Sequence, residues 1–538
     1  MRKRRPTSFL GALEHQGPYL LSKKLGLICS QMPGTKDNLF KYTILFLLLA
    51  EALSYISFVY PIISPLVFGL VSVGIIIATV YKLEYGIMII FSELIIGSLG
   101  KMFILDIDGF SVSIRMVIWL VLLLVWVSHA FMDKRVTFFS SKLFRPFAVL
   151  ALVVLWGIAW GAIRGNSIGA LFSDVNNYLY FLLIFPVFGV LRSKKMFRRL
   201  FKIIVIALTW LSIKTIILFY IFSHEFFVLQ NTLYAWSRWS RLAEITNIDP
   251  TLLTSRIFMQ SHIWLVFAFF LFLGLLYHIY IHPLRSNTIP FNDSKKNRIC
   301  PVRISFLIGC IVLFGTAILA SFSRSFWLAG IITLITMMIG LFLLSKLSIK
   351  NILGFGAVSA GIIVISIGVF FSVANFPIPK GEMSLSLLKD RAAKFSGEAA
   401  VTSRYAQIRP LFEGISKHPV LGSGFGTSVT YESQDPRVLR NNADGLYTST
   451  AFELGWLEMW LKIGLLGVLV YLFIIFRIFQ YGIARIKKLP ENTIARYHIF
   501  GGLLGLLAVV LTHGVSPYLN HPLGIGIVIL IASVVDRK

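Results

Sequence analysis

The stretch that decides the fold is FELGWLEMWLKIGLLG, residues 452–467, an apolar run that nevertheless carries Glu453, Glu458 and Lys462. Apolar runs of this kind recur along the whole chain of 538 residues. Many reach 18 residues, the length at which a helix becomes a candidate to cross a bilayer. Hydrophobic residues make up 57% of the chain and charged residues 14%, against about 25% charged in soluble domains. We therefore predict an all-α polytopic integral membrane protein with about 12–14 transmembrane helices.

Hydropathy also divides the chain into membrane and loop regions. About fourteen spans are predicted, at residues 42–60, 65–81, 84–105, 112–131, 146–163, 175–191, 200–222, 257–280, 304–321, 326–345, 351–373, 450–476, 499–513 and 522–535. The predicted regions are a cytosolic basic tail (1–40), the first eleven transmembrane helices with an outward loop at 223–256 (41–372), a large extracytoplasmic loop (373–447) and the C-terminal transmembrane helices (448–538). The polar stretch SDVNNY (173–178) is predicted to be a re-entrant or broken piece, because polar groups at membrane depth need protein or water partners.

The net charge of +27 indicates membrane topology rather than nucleic-acid binding. Basic residues concentrate in short links such as RSKKMFRRLFK (192–202), the pattern expected on the cytoplasmic side. The longer links 223–256 and 373–447 are nearly balanced in charge, so we place both outside the cytoplasm and both termini inside it.

The three cysteines, Cys29, Cys300 and Cys310, suggest no disulfide framework.

Arginines beside the apolar spans are candidates for phosphate binding. Arg324 lies between three serines in SFSRSFW (321–327), where guanidinium and hydroxyl donors together suit a phosphate. A membrane-boundary arginine is also often a snorkelling anchor. Arg404 and Arg409 lie on a predicted helix (403–419) of the long loop, about 140° apart around its axis, so they need not face one ligand.

A glycine-rich stretch follows that helix. His418 precedes Gly422, Gly424 and Gly426, whose backbone N–H groups could contact an anion. Such a stretch is more often a helix stop and a tight turn. Another helix is predicted upstream in the same loop, at 385–395.

The three charges of the first stretch have different predicted roles. Glu458 and Lys462 are spaced i, i+4 with the acid first, so we predict a neutralised pair. Glu453 has no cation at i+3 or i+4 and is either a helix N-terminal acid or a desolvated general base. His513 and His521 are other candidate bases, and their spacing without a third ligand does not support a metal site.

Three motifs in this order resemble the superfamily of O-antigen ligases and O-antigen polymerases. They are the SRS turn around Arg324, HPVLGSGFGT (418–427) after the helix with Arg404, and ELGWLEMWLKIGLLGVLVYL (453–472). The resemblance covers about residues 310–476. It implies a GT-C-type glycosyltransferase of polysaccharide biosynthesis in the cell envelope. Such an enzyme moves a glycan from an undecaprenyl-diphosphate carrier to a glycan, lipid or protein acceptor, without metal or cofactor.

The resemblance also implies site residues. Arg324 and Arg404 match the family's outward arginines, which hold the diphosphate at the outer face of the cytoplasmic (inner) membrane. Ligases typically carry a histidine in a His-Asn-x-Tyr-Leu pattern where this chain has Glu453 followed by Leu454. A carboxylate can also serve as the base, and attack opposite the diphosphate would invert the anomeric carbon.

Two alternatives to a ligase-like transferase stay open. One is a polysaccharide polymerase of the same superfamily. The other is a lipid-linked oligosaccharide flippase or another transporter, which would place charged residues along a central cavity. The mid-span charges are mainly Glu51, Glu93 and Lys214, and these could instead be buried partners of one another.

Overall fold

The computed structural model describes residues 38–107, 110–133, 136–249, 254–282, 301–344, 349–377, 399–433, 436–440, 442 and 444–537. Its helices are α1 (Asn38–Val59), α2 (Ser64–Tyr81), α3 (Leu83–Ile96), α4 (Ile114–Asp133), α5 (Phe144–Ile163), α6 (Ile168–Tyr178), α7 (Ile184–Leu191), α8 (Lys194–Phe222), α9 (Phe227–Trp239), α10 (His262–Ile281), α11 (Pro301–Ala320), α12 (Arg324–Leu344), α13 (Ile349–Asn375), α14 (Ala399–Lys417), α15 (Pro436–Leu439), α16 (Gly455–Lys488), α17 (Ile494–His513) and α18 (Pro522–Asp536). Its strands form the antiparallel hairpins β1 (Ile104–Ile107) with β2 (Phe110–Ser113), β3 (Glu244–Asp249) with β4 (Thr254–Phe258) and β5 (Val429–Glu432) with β6 (Leu446–Ser449).

The prediction of an all-α polytopic membrane protein is confirmed. Within the described ranges, 11 helical segments are long and apolar enough to cross a membrane, and Ile304–Ala320 and Pro522–Asp536 are shorter apolar helices. The third predicted span, 84–105, is only partly helical, because α3 ends at Ile96 and a tight turn leads into β1. In that turn Gly100 adopts a positive φ of 80°, and a Cβ there would lie 2.7 Å from the Arg115 side chain. SDVNNY lies in α6, which passes through a 3-10 turn (Leu179–Leu183) into α7.

The centre of the helix bundle is built on α10 and α17. Almost every side chain of α10 is buried, and α17 packs along it through Gly501 and Gly505. A Cβ built on Gly274 of α10 would lie 2.8 Å from the Gly501 Cα, so these two backbones approach as only small residues allow. By contrast, α2 and α12 keep rows of exposed apolar side chains, which suit contact with lipid tails.

The two long links contain more structure than the sequence predicted. The 223–256 link holds the amphipathic helix α9 and most of the hairpin β3–β4, and the 373–447 loop holds α14 and most of β5–β6. The predicted helix at 403–419 corresponds to α14. The predicted helix at 385–395, the cysteines Cys29 and Cys300 and nearly all of the predicted basic tail lie outside the described residues.

Candidate functional site

A buried cluster of three ionised residues lies near the start of α16, where that helix meets α6. Lys462 Nζ lies 2.6 Å from Glu458 Oε1, which confirms the predicted pair, and 2.7 Å from Asp174 Oδ1 of α6. The Lys462 side chain is only 3% exposed, so the cation depends on these two carboxylates for its polar contacts. Asp174 Oδ2 in turn accepts a hydrogen bond of 2.8 Å from the Gly426 N–H. The cluster therefore ties α16 and α6 to the glycine-rich stretch 418–427.

The glycine-rich stretch docks into a break in α16. Gly464 has φ 71° and ψ 176°, values that interrupt the helix and that L side chains rarely adopt. The N–H groups of Leu465 and Leu466 then donate to the carbonyls of Pro419 and Val420, at 3.0 and 3.2 Å. The freed carbonyls of α16 accept in return from the stretch, through Ser423 N→Leu461 O at 2.7 Å and Gly424 N→Lys462 O at 3.0 Å. Each side of the junction satisfies backbone groups of the other.

This geometry gives the glycines a packing role. A Cβ built on Gly422 would lie 2.5 Å from the Gly464 nitrogen, so the two backbones touch. The N–H groups of Gly422, Gly424 and Gly426 donate to the His418 carbonyl, the Lys462 carbonyl and the Asp174 carboxylate. These contacts favour the helix-stop-and-turn interpretation, and contact of His418 and the glycines with a substrate stays a prediction.

The structure brings Arg404 and Glu453 together. Arg404 Nη2 lies 2.7 Å from Glu453 Oε2, and the two side chains are 30% and 39% exposed. The Glu453 N–H donates to Gln407 Oε1 at 3.2 Å, and Gln407 Nε2 donates to the Tyr431 hydroxyl at 3.1 Å. Glu453 has no cation at i+3 or i+4, as the sequence indicated, and receives one from α14. The Nε–H of Arg404 is buried without a hydrogen-bond partner in the part of the chain that the structure describes.

The environment of Glu453 weakens its acidity. Burial raises the pKa of this carboxyl above its ordinary value, and the neighbouring Arg404 and Arg256 cations offset the effect only in part. The Glu244 carboxylate also acts to raise the pKa of Glu453. A carboxylate with a raised pKa accepts a proton more readily, which suits a general base. Glu453 begins the turn before α16 and so lies outside the membrane-spanning helix.

Arg256 is a further candidate site residue, which the sequence interpretation missed. Its Nε donates to the Ser321 carbonyl at 2.9 Å, and its guanidinium lies 4.3 Å from the centroid of the Phe258 ring. Phe258 stacks on Phe326, so β4 lies against the turn that carries Arg324 at the start of α12. Arg256 could have been found from the sequence, because it is an arginine beside an apolar span in a link predicted to face outward.

The other predicted site residues have different partners. Arg409 pairs with Glu413 at 2.9 Å on the exposed side of α14, and its side chain is 90% exposed, so the structure does not bring it to Glu453. His513 accepts a hydrogen bond from the Leu519 N–H through Nδ1, and its ring packs on Trp456. His521 caps α18, and burial lowers its pKa to about 3. Among the described residues, no group of three or more His, Cys, Asp or Glu side chains is placed to hold a metal ion.

Comparison with known proteins supports the resemblance. Residues 309–472 match the family described as O-antigen ligase, a segment shorter than a third of the chain. A search of curated proteins finds no match. The matched segment includes Arg324, Arg404, the glycine-rich stretch and Glu453, and leaves out Arg256. The resemblance to the O-antigen ligase superfamily is therefore confirmed over residues 309–472.

Proposed function

We propose that this multi-pass membrane protein is a ligase-like glycosyltransferase. It would move a glycan from an undecaprenyl-diphosphate carrier to an acceptor hydroxyl at the outer face of the cytoplasmic membrane. The observation that carries the proposal is the Arg404–Glu453 pair, since it joins a candidate anion-binding group to a candidate base inside the segment that resembles O-antigen ligases. In this arrangement both termini are cytoplasmic, and α14 and the hairpin β5–β6 of the 373–447 loop lie on the extracytoplasmic face.

The arginines supply the chemistry that a diphosphate leaving group requires. Arg256, Arg324 and Arg404 come from three separate elements, β4, α12 and α14. Guanidinium groups offset the negative charge that grows on the diphosphate as its bond to the anomeric carbon breaks. The Nε–H of Arg404 supports this role, because it is a buried donor without a partner among the described residues. The exposed Glu413 pairing of Arg409 does not support the same role for that residue.

Glu453 supplies the base. The acceptor hydroxyl loses its proton to the Glu453 carboxylate as its oxygen bonds to the anomeric carbon, and the diphosphate leaves with the bonding electrons from the opposite face. The carbon is therefore inverted. A bound diphosphate would compete with Glu453 for Arg404, and loss of that cation would raise the pKa of Glu453 further. Donor binding would thus strengthen the base just when it is needed.

The transport alternative receives less support. The mid-span charges pair with one another or with a neighbour inside the bundle, Lys214 with Glu51 at 2.6 Å and Arg115 with Glu93 at 2.7 Å. Such neutralised pairs suit structural partners better than a path for a charged headgroup. The polymerase alternative belongs to the same superfamily and would use the same site, with a carrier-linked glycan as the acceptor.

Mass spectrometry of reaction products separates these functions. The purified protein in lipid nanodiscs would receive an undecaprenyl-diphosphate oligosaccharide, with and without candidate acceptors. We expect a single glycan addition to an added acceptor. A ladder of longer carrier-linked glycans would instead identify a polymerase. Unchanged substrate from a folded protein, across lipid, glycan and protein acceptors, would contradict both transferase functions.

Removal of either candidate arginine should weaken donor binding. We expect Arg324→Ala and Arg404→Ala each to lower the affinity for the carrier-linked donor by about tenfold or more, because a charge-assisted contact is lost. Binding to nanodiscs can be measured by microscale thermophoresis. Lys417→Ala, which removes an exposed cation from α14, is the matched control and should bind the donor normally. Unchanged donor affinity in both arginine variants would remove the diphosphate assignment.

A further inference from the structure

Between α9 and the hairpin β3–β4 lies a cleft whose lining, among the described residues, carries no charged side chain. Its volume is about 430 Å³, within the range of about 300–1,000 Å³ typical of small-molecule sites. Its lining comprises Phe222, Gln230, Asn231, Tyr234, Ile245, Thr246, Asn247 and Ser255. A neutral polar cleft is notable in a chain of net charge +27, and especially so beside Arg256.

The lining matches the chemistry of a sugar. Gln230 Nε2 already donates to the Ile221 and His224 carbonyls. The Ser255 hydroxyl donates to Asn247 Oδ1 at 2.7 Å. The Asn231 amide, the Thr246 hydroxyl and the Asn247 N–H groups can hydrogen-bond sugar hydroxyls, which both donate and accept. Tyr234 and Phe222 add aromatic surface for the apolar faces of a sugar ring. An anionic headgroup would find no cation in this lining, which argues against a phosphate or a carboxylate as the ligand.

The cleft lies next to Arg256 in the hairpin. Ser255 and Arg256 are successive residues of β4, so their side chains leave opposite faces of the hairpin. Thr246 lines the cleft and is the cross-strand partner of Arg256. Such partners have Cβ atoms about 4.5–5.5 Å apart, so the cleft begins one side chain away from a candidate diphosphate contact.

Helix α9 would hold this cleft at the membrane surface. Its first turn exposes Phe227, Val228 and Leu229, while Trp239 near its end packs against Phe58 of α1. An amphipathic helix with exposed apolar residues of this kind lies in a membrane interface. At that depth the glycan is attached to the diphosphate headgroup of a lipid carrier.

We infer that this cleft binds uncharged sugar residues of the donor glycan, next to its diphosphate. The inference rests on the proposed transferase function and adds a glycan subsite outside the segment matched to O-antigen ligases. It assigns recognition of the sugar to the 223–256 link, whereas recognition of the diphosphate lies with the arginines.

The test uses the glycan without its carrier. The lipid-linked pool would be extracted from producing cells that lack this protein, and mild acid would release the glycan from its diphosphate. Saturation-transfer NMR would then measure binding of the released glycan to the full-length protein in nanodiscs. We expect binding by the unaltered protein and about tenfold weaker binding by the Asn231→Leu, Asn247→Leu double variant, which loses two amide contacts. Asn492→Leu, an exposed change in another link, is the control and should bind normally.

The outcomes for the subsite and for the transferase are distinct. Equal binding by the double variant and the unaltered protein, or no binding by either, would overturn the subsite. The intact pool would be tested for transfer in parallel. A third outcome is that the double variant loses glycan binding and the unaltered protein shows no transfer. This outcome would support the subsite and contradict the transferase function. Normal transfer by the double variant at low donor concentration would overturn the subsite alone.

Discussion

Glu453→Gln should nearly abolish glycan transfer while the protein stays folded. The amide keeps the shape of the side chain and can still accept a hydrogen bond from Arg404, but it cannot take the acceptor proton. Loss of a general base lowers rates by about 10²–10⁴-fold. Product formation from a carrier-linked donor in nanodiscs would measure the loss, and a thermal melt would check the fold. Glu413→Gln is the matched control, since Glu413 is an exposed carboxylate on α14 paired with Arg409.

The pH profile gives the same hypothesis a second readout. Because burial raises the pKa of Glu453, the base becomes protonated at a higher pH than an ordinary glutamate does. Transfer should therefore fall as the pH drops through this raised value, and the residual activity of Glu453→Gln should lack that acidic limb. Full activity in the amide variant, or an unchanged acidic limb, would end the base hypothesis.

Lys462→Met should destabilise the protein severely. The change leaves the Asp174 and Glu458 carboxylates buried without their shared cation, and breaking a buried ion pair from one side costs about 3–5 kcal/mol. Thermal denaturation in detergent should show a large drop in the melting temperature. The Gly426 amide should also exchange faster with solvent, because its acceptor Asp174 loses its anchor.

A compensated variant distinguishes the ion cluster from simple packing. Asp174→Asn and Glu458→Gln added to Lys462→Met remove all three charges, and most of the lost stability should return. A melting temperature unchanged by Lys462→Met alone would show that the cluster does not stabilise the fold. Failure of the compensated variant to recover would point to the lysine's length and shape rather than its charge.

The fold class was predictable because length and apolarity are local properties of the chain. The i, i+4 spacing of Glu458 and Lys462 likewise lies within one helix, so the pair could be read directly. Asp174, the third member, is 288 residues from Lys462 in sequence, and nothing local connects them. The break at Gly464 was equally hidden, since glycine is common in membrane helices and its φ depends on the stretch docked against it.

The candidate site was predictable in its residue types more than in its geometry. Charge balance selected the link that holds Arg404, the surrounding serines selected Arg324, and the position before an apolar helix selected Glu453. The ion pair between Arg404 and Glu453 depends on how α14 folds back over α16, which sequence spacing does not determine. Arg256 was missed because its link was used only to assign topology, and the hairpins were missed because their strands are short.

The break in α16 also constrains the order in which the newly made chain can assemble. Residues 418–427 leave the ribosome before α16 does, yet the carbonyls of Pro419 and Val420 are the acceptors for Leu465 and Leu466. An unsatisfied backbone group in hydrocarbon costs several kcal/mol, so a freshly inserted α16 is incomplete until the earlier stretch joins it. Residues 418–427 therefore cannot dock until α16 has been synthesised. Docking at this junction thus makes assembly of the site depend on insertion of α16.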